Sequence, residues 1–422
     1  MAANQAKQLE RVVITGMGAI TPLGNDVETF WNRLVKGDSG VTRIDTFDTE
    51  RYKVKIAGLV RDFDPKELFG LKEARRMDRF SQFALAAADQ ALKDSGIDLE
   101  RIDKERIGVY VGSGIGGLRT LMDQHTLISE RGPERVSPTL VPMIISNMAA
   151  ALISIKLGAL GASLSPVTAC SIGNTAIGEA FHHIQAGRAD ILFAGGTDAA
   201  VNELSLASFS NATALSTRND EPEQASRPFD AGRDGFVMGE GAGILVLESL
   251  SHALSRGAKI HAEVVGYAAT SDAYHMVATH PEGDGAYRAM KLALQDADIQ
   301  PSEVDVISAH ATSTELGDKS ETAAIKKLFG QEAYRIPVTA NKSMTGHTLG
   351  ASGGLEAIAL VKSLQNGIIP PTINQRQRDE DCDLDYVPNE ARTSDLSIGM
   401  SNSFGFGGHN AVIVLKKYGE NV

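Results

Sequence analysis

Cysteine is nearly absent from this chain. Cys170 and Cys382 are the only two among 422 residues, too few for a disulfide framework, and no pair has metal-ligand spacing. A reducing compartment and no metal site are therefore expected. Long apolar runs are also missing, since none approaches the ~20 residues that span a bilayer. Positive charge is in short supply: 41 Lys and Arg face 53 Asp and Glu, a net charge of −12. This excludes a bulk binder of nucleic acid or anionic membranes, and an acidic partner would need a local basic patch. The opening "MAANQAKQLE" has neither an apolar signal core nor Arg- and Ser-rich transit character. These absences describe a soluble, cytoplasmic protein.

What is present is globular. Hydrophobic residues make up 42% and charged residues 22%, and the length fits two units of about 200 residues. "RVVITGMGA" (11–19), "RIGVYVGSG" (106–114) and "DILFAGGTDAA" (190–200) read as buried strands running into glycines. Between them, residues 77–96 place Phe80, Phe83, Ala84 and Ala87 on one helical face, and "SNMAAALISIKLGA" (146–159) reads as a helix capped by Ser146. A β-type run, Ser165 to Ala169, ends on Cys170. Ile172, Ala176, Ile177, Ala180, Phe181 and Ile184 then recur at helical spacing as far as Gly187. The alternation predicts an α/β fold.

The second half echoes the first. "PVTA" occurs at 166–169 before Cys170 and at 337–340 before Asn341. "ALKDSGID" (91–98) returns as "ALQDADIQ" (293–300), and "RVVITGMGA" weakly as "AEVVGYAAT" (262–270). Three echoes in the same order predict two similar α/β halves about a pseudo-twofold axis. That symmetry would put Cys170 and the Asn341–His347 loop at equivalent strand ends facing one cleft, with His310 closing its own strand in "VISAHATST". A helix N-terminus lowers a cysteine pKa and offers amides to an oxyanion. Taken singly, Cys170 would more often be core packing and His310 a satisfied core or surface residue; their convergence is what points to chemistry. "GSGIGG" (112–117) matches a dinucleotide fingerprint, but no acidic residue follows at the right distance, so it reads as a tight turn near the cleft. Cys382, in "DEDCDLD", reads as a loop or strand-edge residue without chemistry.

Several long motifs carry a resemblance across nearly the whole chain. "VTAC", "STRNDEPEQASRPFDAGRDGFVMGEGAG" (216–243), "AHATSTELGD" (309–318), "NKSMTGHTLGASGG" (341–354) and "SNSFGFGGHN" (401–410) resemble the beta-ketoacyl-[acyl-carrier-protein] synthases, most of all synthase II. The resemblance implies a thiolase-like fold: duplicated α/β halves, here 1–258 and 259–422, in five α-β-α-β-α layers. It also implies a homodimer that needs no cofactor and acts on acyl- and malonyl-loaded acyl carrier protein. Cys170 would hold the acyl chain, while His310 and His347 would stabilise the enolate left by decarboxylation of the malonyl group. Phe406 would gate the cysteine and share the oxyanion hole, and Lys342 with Glu356 would act at the site or support it. Thr312 and Thr314 would bind the pantetheine arm and Ile115 would line the acyl pocket. Lys72, Arg75 and Arg76, in "LKEARRMDR", with Arg135 and Arg218, would dock the acidic carrier, although a merely solvated basic helix face fits the first three as well.

Departures from the family pattern are expected to touch the pocket more than the reaction. Ile172 is bulky where small residues are usual, Ala311 and Glu315 replace a frequent glycine and proline, and Glu134 stands where a basic residue can dock the carrier. A thiolase would have a second cysteine near "SFGFGG", and synthase III-like enzymes pair Cys and His with Asn. A non-catalytic chain-length factor would typically have lost the cysteine. The intact Cys170, His310 and His347 favour the condensing enzyme.

Overall fold

The computed structural model describes residues 9–419; the first eight residues of the polar opening stretch lie outside them. Ten strands build the centre: β1 (Val12–Ile20), β2 (Ile107–Gly112), β3 (Ser163–Leu164), β4 (Ile191–Asp198) and β5 (Gly241–Ser249) in the first half. The second half supplies β6 (Ala262–Ser271), β7 (Val306–Ser308), β8 (Val338–Thr339), β9 (Ile398–Gly405) and β10 (His409–Lys416). In space the first five run β3-β2-β4-β5-β1 and the second five β8-β7-β9-β10-β6. Strand order is therefore repeated, and so is direction. β3, β2 and β4 are parallel, as are β8, β7 and β9; β5 and β10 run antiparallel to both their neighbours. The blocks join through Val12–Ile14 of β1 and Ala262–Val264 of β6.

Three helices of each half layer against the strands: α1 (Arg79–Ser95), α2 (Met148–Leu157) and α3 (Ile172–Gln185), then α4 (Asp284–Asp296), α5 (Glu315–Phe329) and α6 (Ser352–Asn366). α3 and α6 pack on strands of both blocks and on each other, forming the central layer. α1 and α2 cover the outer face of the first block, and α4, with α5 packed against it, shares a core with the strands of the second. The result is the expected five layers. With helices on both faces, every residue of β1, β2, β4 and β5 is buried, which is why these strands read as continuous apolar runs.

The structure corrects the register of the echoes. β1 bulges at Thr15 and β6 at Val265, each one residue before a glycine. A Cβ on Gly16 would lie 2.2 Å from the Ala91 carbonyl oxygen, and one on Gly266 would lie 2.4 Å from that of Ala293. Val12, rather than Arg11, thus corresponds to Ala262. The "PVTA" echo is displaced further. Ala169–Ser171 and Leu349–Ala351 are equivalent 3₁₀ turns leading into α3 and α6, and each opens on a non-glycine residue at positive φ, 51° and 54°. Cys170 therefore corresponds to Gly350, not Asn341, because the second half inserts a helical turn, Lys342–Thr345, after β8. Two further expectations shift locally. β3 stops at Leu164, before Pro166, which lacks the amide a ladder needs. α2 begins at Met148 after Asn147, so Ser146 does not cap it.

Candidate active site

Cys170 lies in the 3₁₀ turn that feeds α3, buried, with 9% of its surface exposed. The β9–β10 turn closes over it. A Cβ on Gly405 would sit 3.0 Å from the Cys170 amide nitrogen and 2.7 Å from the Thr168 carbonyl oxygen, so only glycine allows this approach. The backbone amides of Phe406 and of Cys170 itself both donate toward the sulfur, the pair of donors an oxyanion hole requires. The expectation of a lowered thiol pKa is corrected: burial pushes Cys170 up to about 12, against the downward pull of Lys342 and the two amides. Desolvation outweighs the helix terminus.

His310 follows β7. Its amide and that of Ala311 donate to the buried Glu321 carboxylate at 2.9 and 2.8 Å, and Asn402 adds a third bond at 3.0 Å. Ala311 and Ser313 hold positive φ, 34° and 70°, so Glu321 of α5 pins a strained loop. His347 is held by its backbone, donating to the Val237 carbonyl and accepting from the Gly239 amide, and its Nδ1 lies 3.1 Å from Ser352 Oγ. The two imidazoles meet edge to face, centroids 5.5 Å apart. Burial first, then Lys342, holds both well below the ordinary histidine value, so both are neutral. Lys342 Nζ lies 3.5 Å from His310 Nδ1. An ammonium only donates, so His310 Nδ1 is the accepting nitrogen and Nε2 carries the proton. Lys342 is also ion-paired with Glu356 in the core, where burial pushes the carboxyl up.

One cavity of about 400 Å³ collects these groups. Cys170, His310, His347, Phe406, Thr312, Thr314 and Ile115 all line it, whereas Lys342 and Glu356 stand behind the histidines. Thr312 and Thr314 share a hydroxyl contact of 3.0 Å. Phe406 is 39% exposed beside Gly407 and Gly408, both at positive φ. Ile172 does not line the cavity. It is fully buried, and its methyls fill the space left by Gly112, Gly196 and Gly350, so its bulk is absorbed by missing side chains rather than by the pocket. Lys72, Arg75, Arg76 and Arg135 are exposed outside the cavity. Arg218 is partly buried and donates to the Gly232 carbonyl at 2.7 Å. Cys382 is buried near Arg233, and its thiol is pushed up to about 11.

Two carboxylates escaped the sequence reading. Asp198, at the end of β4, accepts from Ser113 Oγ and from the amides of Gly114, Ile115 and Gly350. It ties the glycine-rich turn of one half to the Cys170-equivalent turn of the other. Glu321 ties the His310 loop to Asn402 of β9 within the second half. The available signal was a charged residue inside an apolar pattern: Asp198 ends "ILFAGGTD", and Glu321 shares a helical face with Ala324 and Ile325.

The chain matches the family models for the Beta-ketoacyl synthase N-terminal domain over residues 9–253 and C-terminal domain over residues 261–376. It is 52% identical over 411 residues to a 3-oxoacyl-[acyl-carrier-protein] synthase 2 of Staphylococcus aureus, covering 97% of this chain and 99% of that one. It is 51% identical over 409 residues to the protein of the same name from Synechocystis sp., covering 97% and 98%. Among solved structures, it superposes with TM-score 0.91 and 37% identity on a ketosynthase solved with its type II PKS acyl-carrier protein and bound hexaketide, covering 98% of this chain and 100% of that one. A beta-ketoacyl synthase from Burkholderia phymatum gives TM-score 0.91 at 35% identity, covering 97% and 100%. With the repeated five-strand blocks and the cysteine and two histidines in one cavity, these matches lead to one statement: the chain belongs to the beta-ketoacyl synthase family.

Proposed function

We propose that the protein is a 3-oxoacyl-[acyl-carrier-protein] synthase of the synthase 2 type. It joins malonyl-acyl carrier protein, with loss of carbon dioxide, to an acyl chain held on Cys170, lengthening the chain by two carbons. The observation that carries this is the single cavity lined by Cys170, His310 and His347. In the first half-reaction Cys170 Sγ attacks the acyl thioester, and the Cys170 and Phe406 amides receive the developing oxyanion. The carrier leaves as a thiol, taking the cysteine proton. In the second, loss of carbon dioxide turns the malonyl thioester into an enolate whose oxygen accepts bonds from the His310 and His347 N–H groups. Neutral imidazoles donate without protonating the carbon. The carbanion attacks the acyl-Cys170 carbonyl, the C–S bond breaks, and the thiolate takes up one proton.

Thr312 and Thr314 are proposed to guide the pantetheine arm, Ile115 to bound the acyl chain, and Lys342 with Glu356 to hold the field behind the histidines. Lys72, Arg75, Arg76 and Arg135 are proposed to dock the carrier, with Arg218 nearer the mouth. We further propose that the halves divide at residues 258 and 259. A second copy of the chain is proposed to cover exposed apolar surface: the helix Leu118–Arg131 buries no residue, and Ile155, Leu160, Leu164 and Val167 are exposed. No helix among the described residues is long and apolar enough to cross a membrane, and with two free cysteines the cytoplasm is the proposed location. Cys170→Ala tests the mechanism: the variant stays folded, forms no acyl adduct by intact-protein mass and does not elongate. Undiminished elongation would overturn it.

A further inference from the structure

The segment 216–243 holds three arginines, only one of which is fully paired. Arg233 bonds Asp379 at 2.7 Å and the carbonyls of Asp230, Thr314 and Glu315. Arg227 has a side chain only 7% exposed, yet its guanidinium makes no hydrogen bond and its Nε is buried without an acceptor. The nearest carboxylate, Asp230, is 3.9 Å away and already accepts the amides of Gly232, Arg376 and Gln377. Arg218 repeats the pattern. It does so in part: Nη2 donates to the Gly232 carbonyl at 2.7 Å, but Nε is buried without an acceptor, 3.8 Å from Asp234, whose other oxygen accepts from Thr217. The two side chains converge: a Cβ on Gly232 would lie 3.3 Å from Arg227 Nη1 and 3.4 Å from Arg218 Nη2.

The exposed Arg376 adds a third positive charge close enough to act on Arg227. Asp230 and Asp234 offset part of this charge, but neither comes within hydrogen-bond reach of the Arg227 guanidinium, and a nearly buried guanidinium without an acceptor is costly. An oxyanion with several acceptor oxygens would satisfy both forks at once. The notch also adjoins the cavity mouth. The Arg227 amide donates to Ser313 Oγ at 3.0 Å and the Gly235 amide to the Ser313 carbonyl at 3.2 Å, and Thr312, Thr314, Ala214 and Phe236 on either side line the cavity.

We infer that Arg227, Arg218 and Arg376 form a phosphate-binding notch that receives the phosphodiester joining the pantetheine arm to its carrier protein. This rests on the carrier-dependent reading above. It assigns the outer end of the arm to the arginines and leaves the two threonines for the amides further in.

The test compares malonyl-phosphopantetheine, malonyl-pantetheine and malonyl-carrier protein as substrates for the wild type, R227Q and R376Q, with one acyl primer throughout. The expected result is a KM about tenfold higher for the two phosphate-bearing substrates, with KM for malonyl-pantetheine within twofold of wild type. Equal changes for both small thioesters, or none for either, overturn the inference. A rise confined to the carrier protein also overturns it, assigning the arginines to carrier carboxylates instead. Arg376 is exposed, so R376Q keeps the test alive if R227Q fails to fold. Calorimetric binding of phosphopantetheine against pantetheine to the wild type reads the notch even if no malonyl thioester is elongated, which separates failure of the notch from failure of the proposed function.

Discussion

The crossing of the two central helices gives the sharpest prediction. Gly173, at the start of α3, faces Gly353 and Gly354 of α6. A Cβ on Gly173 would lie 2.3 Å from the Gly354 nitrogen and 2.7 Å from the Gly353 Cα. These are backbone atoms inside two packed helices and cannot turn aside as a side chain could. Reaching an ordinary contact of ~3.4 Å requires the helices to part by about 1 Å, overpacking worth roughly 1–3 kcal/mol. The same shift would move Cys170, three residues before Gly173, away from His347, six residues before Gly353. A displacement of about 1 Å at reacting groups costs on the order of 100-fold in rate. We therefore expect Gly173→Ala to remain folded at moderate temperature while losing about 100-fold in kcat for condensation. Gly108→Ala is the control. It meets the Ala162 carbonyl at 2.5 Å, equally tight but in β2 away from the crossing, and should lose stability while its folded fraction keeps normal kcat. If Gly173→Ala condenses within twofold of wild type, or if both variants lose kcat equally, the reasoning fails.

Two other outcomes follow from the site and its surroundings. Burial and Lys342 hold folded His347 well below 6.5, whereas the unfolded chain takes up this proton near 6.5. The stabilisation is thus fully present above pH 6.5 and is lost as pH falls below it. Urea unfolding should show the wild type losing up to about 1.4 kcal/mol more than His347→Gln per pH unit below 6.5; parallel losses would mean that His347 titrates normally in the fold. Reversing the exposed charges in K72E/R75E/R76E should chiefly raise KM for acyl carrier protein and flatten its salt dependence, whereas an unchanged KM would remove that helix from the docking surface.

The reading of the fold was strongest where burial is simple. β1, β2, β4 and β5 are covered on both faces, so their apolar runs were visible in the chain, and the repeated order of echoes anticipated the repeated strand order. Register was not visible. Equivalence of Cys170 with Gly350 depends on backbone conformation, two residues at positive φ entering two crossed helices, and a four-letter echo nine residues out of step concealed it. Ile172 shows the same limit: whether a bulky residue narrows a pocket depends on which distant glycines face it.

By itself the sequence determined the α/β class and the lack of a disulfide framework, and its motifs singled out Cys170, His310 and His347 as the residues to look for, because these follow from composition, periodicity and motif. Only the tertiary structure decided the protonation of the site and its support. Burial pushes the Cys170 thiol up against the pull of Lys342 and two amides; Asp198 and Glu321 reach their amide donors across 152 and 11 residues of chain. Desolvation and long-range hydrogen bonding are sums over neighbours that the linear order does not contain, and they are what turn a cysteine between a turn and a helix into one side of a two-sided site.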